Sequence, residues 1–175
     1  VAFAYAIEYQ KRGLPHAHTL LILDQGINPD HVDEYVSAEI PDPATQPELY
    51  KVVTSCMVHS PCGTATPHSP CMKEGACEKG FPKEFAAETT MAVDGMPKYR
   101  RRSPADGGRT FTKRMRDSGG RFSDVVIDNR WVVPYSPYLS KKFDCHINVE
   151  FCHSVRSVKY MHKYVSKGHD CATFS

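Results

Sequence analysis

The residue order predicts an α+β protein: an antiparallel sheet with flanking helices, carrying a Cys/His insertion that folds around a metal. Three observations predict it. Apolar stretches of strand character are joined by turn residues rather than by long helices, so they pair as hairpins and not as βαβ units. The stretches with helical spacing are few and short. Six candidate metal ligands (Cys56, His59, Cys62, His68, Cys71 and Cys77) crowd into 22 residues that hold little apolar periodicity.

Taken in order, VAFAYAIEYQ (1–10) is apolar, aromatic and Ala-rich and reads as a strand. Gly13 and Pro15 sit where a chain reversal needs them. HAHTLLIL (16–23) is the second strand of the opening β-hairpin. Asn28 or Asp30 caps a short helix over roughly 30–38. Three prolines, Pro41, Pro43 and Pro47, interrupt the chain before a second helix at 48–58. A zinc-binding insertion is expected at 56–85 and a basic arm at 98–122, inside one domain spanning 1–175. Residues 124–133 have strand character, and Tyr135-Ser136-Pro137 reads as a turn. CHINVEFC (145–152) alternates like a strand, and 154–167 is an amphipathic helix stopped by Gly168.

A chain of 175 residues suits one domain and can bury a real core. No apolar run approaches the roughly 20 residues that a membrane span needs, so no membrane partner is expected. There is no basic-then-apolar leader, and the chain opens at Val1 inside strand character, as expected of a piece of a longer protein. Net charge is only +2, but it is unevenly spread. Between Lys98 and Arg121 nine Lys or Arg residues face only Asp106 and Asp117, a local excess of roughly +7. That concentration suits a polyanion, with Arg100, Arg101 and Arg102 as DNA-binding candidates. Seven Cys is an odd number, clustered beside His and without a secretory leader, which points to metal rather than to disulfides.

Three groups of residues carry chemistry. His16 and His18 lie two apart on a strand and share a face, so both imidazoles can chelate one cation. Across the hairpin, Glu8 and Gln10 share a face of the first strand, and Glu8 could add a carboxylate. Two imidazoles and an oxygen with open positions suit Mg²⁺ or Mn²⁺. Taken alone, a His-x-His pair is more often two exposed strand histidines. On the last helix, Tyr160 and Tyr164 stand one turn apart beside Lys159, Lys163 and Lys167. Such tyrosines either pack or serve as phosphodiester nucleophiles in a positive field; Val155, Val158, Met161 and Val165 already supply an apolar face. Within the Cys/His segment, His59, Cys62, Cys71 and Cys77 meet the four-ligand count of tetrahedral zinc, with Cys56 and His68 as alternatives.

These pieces lie within longer stretches: EYQKRGLPHAH, AEIPDP, MVHSPCG, SPCMKEGACEKGFPKEF, YRRR, VVPYSPYLSKKF, HINVEF and VKYMHKYVSKGHD. Together, and in this order, they resemble the N-terminal replication-initiator domain of Helitron transposases, within the HUH endonuclease superfamily. His16-Ala17-His18 occupies the motif of two histidines around a hydrophobic residue that names the superfamily. The resemblance implies an HUH nuclease fold, here lacking its first strand. It also implies a metal-dependent nickase and strand transferase of rolling-circle transposition, acting on single-stranded DNA in the nucleus. His16, His18 and Glu8 would hold the divalent ion, with Gln10 in play for the third place. Tyr160 or Tyr164 would form a 5′-phosphotyrosine link, Tyr160 being the preferred single choice, with Lys159 and Lys163 on the DNA. The resemblance selects His59, Cys62, Cys71 and Cys77 for a structural zinc, and a helicase domain normally follows in the same polypeptide. Two other classes stay open: a catalytically inactive zinc- and nucleic-acid-binding module, and a metal-dependent hydrolase in which the tyrosines only pack.

Overall fold

The computed structural model describes residues 1–9, 15–63, 66–92, 96–116 and 120–152. The chain divides into two compact units, one holding the N-terminal hairpin within Val1–His31, the other spanning Val32–Thr90 and Pro97–Phe151.

In the first unit, β1 (Ala2–Tyr9) pairs antiparallel with β2 (Pro15–Ile22), as the alternation and the intervening Gly and Pro require. Period two then sorts the side chains. Phe3, Tyr5, Ile7 and Tyr9 fall on one face and stay more than half exposed, while Glu8, His16 and His18 fall on the other.

The second unit carries the core. A short α1 (Val32–Tyr35) follows a turn of 3-10 helix at Pro29–His31. The helix α2 (Pro47–Cys56) starts on Pro47, whose missing N–H costs nothing in the first turn. Leu49, Val53 and Met57 lie along one side of α2 and just past it. They pack with Ile40, Val132 and Tyr135 as the main apolar cluster. Two antiparallel bridges, Ser37 with Tyr135 and Val58 with Val132, tie the segments flanking α2 to the 132–135 stretch.

The remaining strands are small. β3 (Met72–Lys73) and β4 (Ala76–Cys77) form a minimal hairpin; β5 (Thr90–Met91) and β6 (Pro97–Lys98) are two residues each. β7 (Phe111–Arg116) and β8 (Phe122–Ile127) make a regular antiparallel hairpin. The protein is α+β as expected, but among the described residues its strands form separate two-stranded sheets rather than one sheet.

Three segments depart from the sequence-based expectation. The basic arm at 98–122 contains β7, because Phe111, Lys113 and Met115 alternate with exposed neighbours and turn inward together. The turn at 135–137 is the start of α3 (Pro137–Phe143): Ser136 caps it by accepting from the Leu139 N–H, and Pro137 occupies the first helical position. Residues 145–152 form no strand. Their N–H groups are spent elsewhere, Ile147 on the Met57 sulfur, Val149 on the Pro134 carbonyl and Phe151 on the Tyr99 hydroxyl.

Candidate metal centres and the buried arginine

The Cys/His segment becomes ordered through two local devices. The β3–β4 hairpin turns on Glu74 and Gly75, both at positive φ (51° and 82°), as a two-residue hairpin loop demands. Met72 pairs with Cys77, so Cys71, one residue before β3, comes beside Cys77 at the end of β4. The second device is the bridge between Val58 and Val132, with the His59 N–H donating to the Trp131 carbonyl at 2.8 Å. It fixes the backbone that carries His59. The imidazole then stacks on Phe81 (centroids 4.4 Å, 13°) and lies parallel to Trp131 at 6.4 Å.

These devices bring one ligand atom each from His59, Cys62, Cys71 and Cys77 within 4.8 Å of one another. The Cys77 sulfur is 3.6 Å from His59 Nε2. Three thiols and one imidazole are the donor set of a closed tetrahedral zinc site, so the cluster could hold a metal such as zinc. Its protonation pattern is mixed. Burial, with the neighbouring Cys77 and Cys71 thiols, pushes Cys62 up to about 12. Burial acts upward on Cys77 too, yet the backbone N–H groups of Phe81 and Lys79 and the adjacent thiols hold it below the ordinary thiol value. Burial and the charges of Lys79 and Lys83 lower His59, favouring the neutral imidazole that ligates. A dication replacing the shared protons would relieve this crowding. A cleft lined by Cys56, His59, Ser69, Cys71 and His146 reaches the cluster. Cys56 stands apart, its thiol donating to the Val52 carbonyl at 3.0 Å, and His68 is exposed outside the group.

The hairpin in the first unit places its three residues as the pleat requires. Glu8 is directly opposite His16 and diagonal to His18. Glu8 Oε1 is 3.1 Å from His18 Nε2, and the two imidazoles stack with centroids 4.6 Å apart. Among the described residues, the Cys/His group alone gathers three or more ligand atoms into a compact cluster, so the hairpin shares a face without forming a comparable cage. Gln10, Lys159, Tyr160, Lys163 and Tyr164 lie outside the described residues.

The basic triplet is split in a way charge counting does not foresee. Arg101 is 4% exposed, and its Nη1 donates to the carbonyls of Asn129 (2.6 Å), Val132 (2.7 Å) and Ala38 (3.3 Å). Burial lowers its guanidinium to about 10, still charged at neutral pH. An arginine so committed acts as a cross-brace in the interior. Arg100 and Arg102 both reach Glu39, whose side chain is 9% exposed. Arg102 makes the closer pair, donating to Glu39 from its backbone N–H at 2.8 Å and from its side chain at 2.7 Å. Asn129, 1% exposed, completes the network by donating to the Arg102 carbonyl and accepting from the Ile40 N–H. The sequence reading missed this network because its partners are up to 90 residues apart. Against known proteins, no family model and no curated protein matches this chain.

Proposed function

We propose that the chain is the nicking core of a rolling-circle transposase, a metal-dependent tyrosine endonuclease and strand transferase for single-stranded DNA. The observation that carries this reading is the common face of Glu8, His16 and His18 on the β1–β2 hairpin. The ordered resemblance to Helitron replication-initiator domains supports it from the sequence side. His16 and His18 with Glu8 would hold Mg²⁺ or Mn²⁺, which supplies charge neutralisation at the scissile phosphate. The chain's own part is nucleophilic. The phenolic oxygen of Tyr160 or Tyr164 attacks phosphorus, the bond to the 3′ oxygen breaks, and a 3′-hydroxyl leaves. The 5′ phosphate stays on the tyrosine until a second strand end displaces it. Lys159 and Lys163 would meet the DNA beside these tyrosines, and the Cys/His cluster would carry a structural zinc. The setting is the nucleus, with a helicase domain following in the same polypeptide.

The test is a covalent adduct on a denaturing gel. Labelled single-stranded DNA and Mn²⁺ should give a protein–oligonucleotide band that disappears in the Tyr160→Phe/Tyr164→Phe double variant and in His18→Ala. Cleavage without an adduct would move the assignment to a metal-dependent hydrolase. A second reading, a zinc- and nucleic-acid-binding module with a silent hairpin site, is favoured by the better formation of the Cys/His cluster. Binding without cleavage would select it.

A further inference from the structure

The β7–β8 hairpin has two unlike faces. Phe111, Lys113, Met115, Val125 and Ile127 turn inward; Ile127 is fully buried and Phe111 meets Tyr50 edge-on at 6.4 Å. Thr112, Arg114, Arg116, Phe122, Asp124 and Val126 turn outward. On that outer face Phe122 is 61% exposed. The register sets Arg116 directly across from it and Arg114 on its diagonal. Both guanidinium carbons sit by the ring, at 5.2 Å for Arg114 and 5.9 Å for Arg116. A solvent-facing aromatic between two arginines offers a π-face and two phosphate-binding forks within one residue's reach. Over 111–127 the sequence carries four Lys or Arg against two Asp, so the surface complements a polyanion rather than an apolar peptide.

We infer that the outer face of β7–β8 is a landing surface for single-stranded nucleic acid, Phe122 stacking on a base while Arg114 and Arg116 meet the flanking phosphates. The choice of a single strand rests on the function proposed above; the surface itself rests on the hairpin. A duplex keeps its bases stacked on each other and has none to offer a side chain standing on a sheet, whereas an open strand has one at every step.

Fluorescence anisotropy of the zinc-loaded full chain with a fluorescein-labelled oligothymidylate tests it. Phe122→Ala should weaken binding about tenfold or more, the scale of one lost base stack, with the salt dependence unchanged. Phe122→Trp should bind at least as well as the unaltered protein. Arg114→Ala/Arg116→Ala should flatten the slope of log affinity against log salt by about 1.4, two phosphate contacts on a single strand. The inference is overturned if Phe122→Ala binds normally, if Phe122→Trp is as weak as Phe122→Ala, or if a duplex of equal length binds as tightly. Absence of oligothymidylate binding by the unaltered chain would overturn it as well. Should Phe122→Ala fail to fold, the double arginine variant decides by its slope. Anisotropy reads binding before any bond is cut, so the two ideas fail separately. Sensitive binding with no covalent adduct removes the nickase and keeps the surface; an adduct with binding indifferent to Phe122 does the reverse.

Discussion

Arg101 and Arg102 show how neighbouring charges in one basic run take different roles, the first on buried carbonyls and the second on Glu39. The guanidinium of Arg101 joins two segments, donating to the Asn129 and Val132 carbonyls of one and to the Ala38 carbonyl of the other. Arg101→Met keeps the aliphatic stem but strands those acceptors in the interior. We expect a loss of about 3 kcal/mol in urea unfolding; a loss under about 1 kcal/mol would mean that water or a rearrangement replaces the donor. Glu39 gives a pH signature. Burial pushes its carboxyl up, but the hydrogen bonds and charge of Arg102, then the charge of Arg100, outweigh it and hold the group below the ordinary 4.5. A depressed folded value contributes stability that is present above 4.5 and is lost as pH falls through the folded value. Urea midpoints should therefore decline below that pH, and Glu39→Gln should flatten the decline while lowering stability at pH 7 by about 2 kcal/mol. An unchanged acid limb in Glu39→Gln would place the titrating group elsewhere.

At the level of elements, the hairpins carry the chemistry and differ in what holds them. β3 and β4 have two residues each, far too few to stand by packing alone. A metal held by Cys71 and Cys77 at their ends would add to the order that the Glu74–Gly75 turn supplies. Cobalt substitution should give a thiolate–cobalt spectrum at one equivalent, and Cys71→Ser or Cys77→Ser should weaken or abolish it. An undiminished spectrum in Cys77→Ser, or equal loss in Cys56→Ser, would reassign the ligands. The β1–β2 hairpin has the opposite character: eight paired positions with one apolar face left to solvent. Its pleat sets Glu8, His16 and His18 on one face, which is why that face could be foreseen from residue spacing.

For the molecule as a whole, the apolar cluster and the Cys/His cluster belong to the same compact unit. Val132 packs in the core while its bridge partner Val58 precedes His59. Removing zinc should therefore lower the melting temperature of the whole second unit, by an amount that grows with zinc concentration in the loaded protein. A melting curve indifferent to chelator would confine any metal effect to the 59–80 loop. Much of the fold was legible in the residue order. The helix near 48–58 and the β1–β2 hairpin follow from Pro placement and period two, and clustered donors mark the Cys/His segment, within which the resemblance rather than the spacing selects His59, Cys62, Cys71 and Cys77 over Cys56 and His68. The helix at Pro137–Phe143 was signalled too, by Ser136 and Pro137, although the same pair also opens turns. Residues 145–152 alternate like a strand, yet strand formation depends on a neighbouring edge, and their donors found the Met57 sulfur, the Pro134 carbonyl and the Tyr99 hydroxyl instead.

What the sequence determined by itself is therefore the chemistry that short spacing controls: two histidines and a glutamate on one hairpin face, and three thiols with one imidazole in a segment too polar to fold otherwise. Only the tertiary structure decided the fate of the basic run. Charge is a property of a residue, but exposure is a property of its surroundings. Arg101 went inward to three distant carbonyls, Arg100 and Arg102 were drawn to Glu39, and Arg114 and Arg116 were left outward beside Phe122. Those partners lie tens of residues away or across a strand register, where no local pattern can select among them.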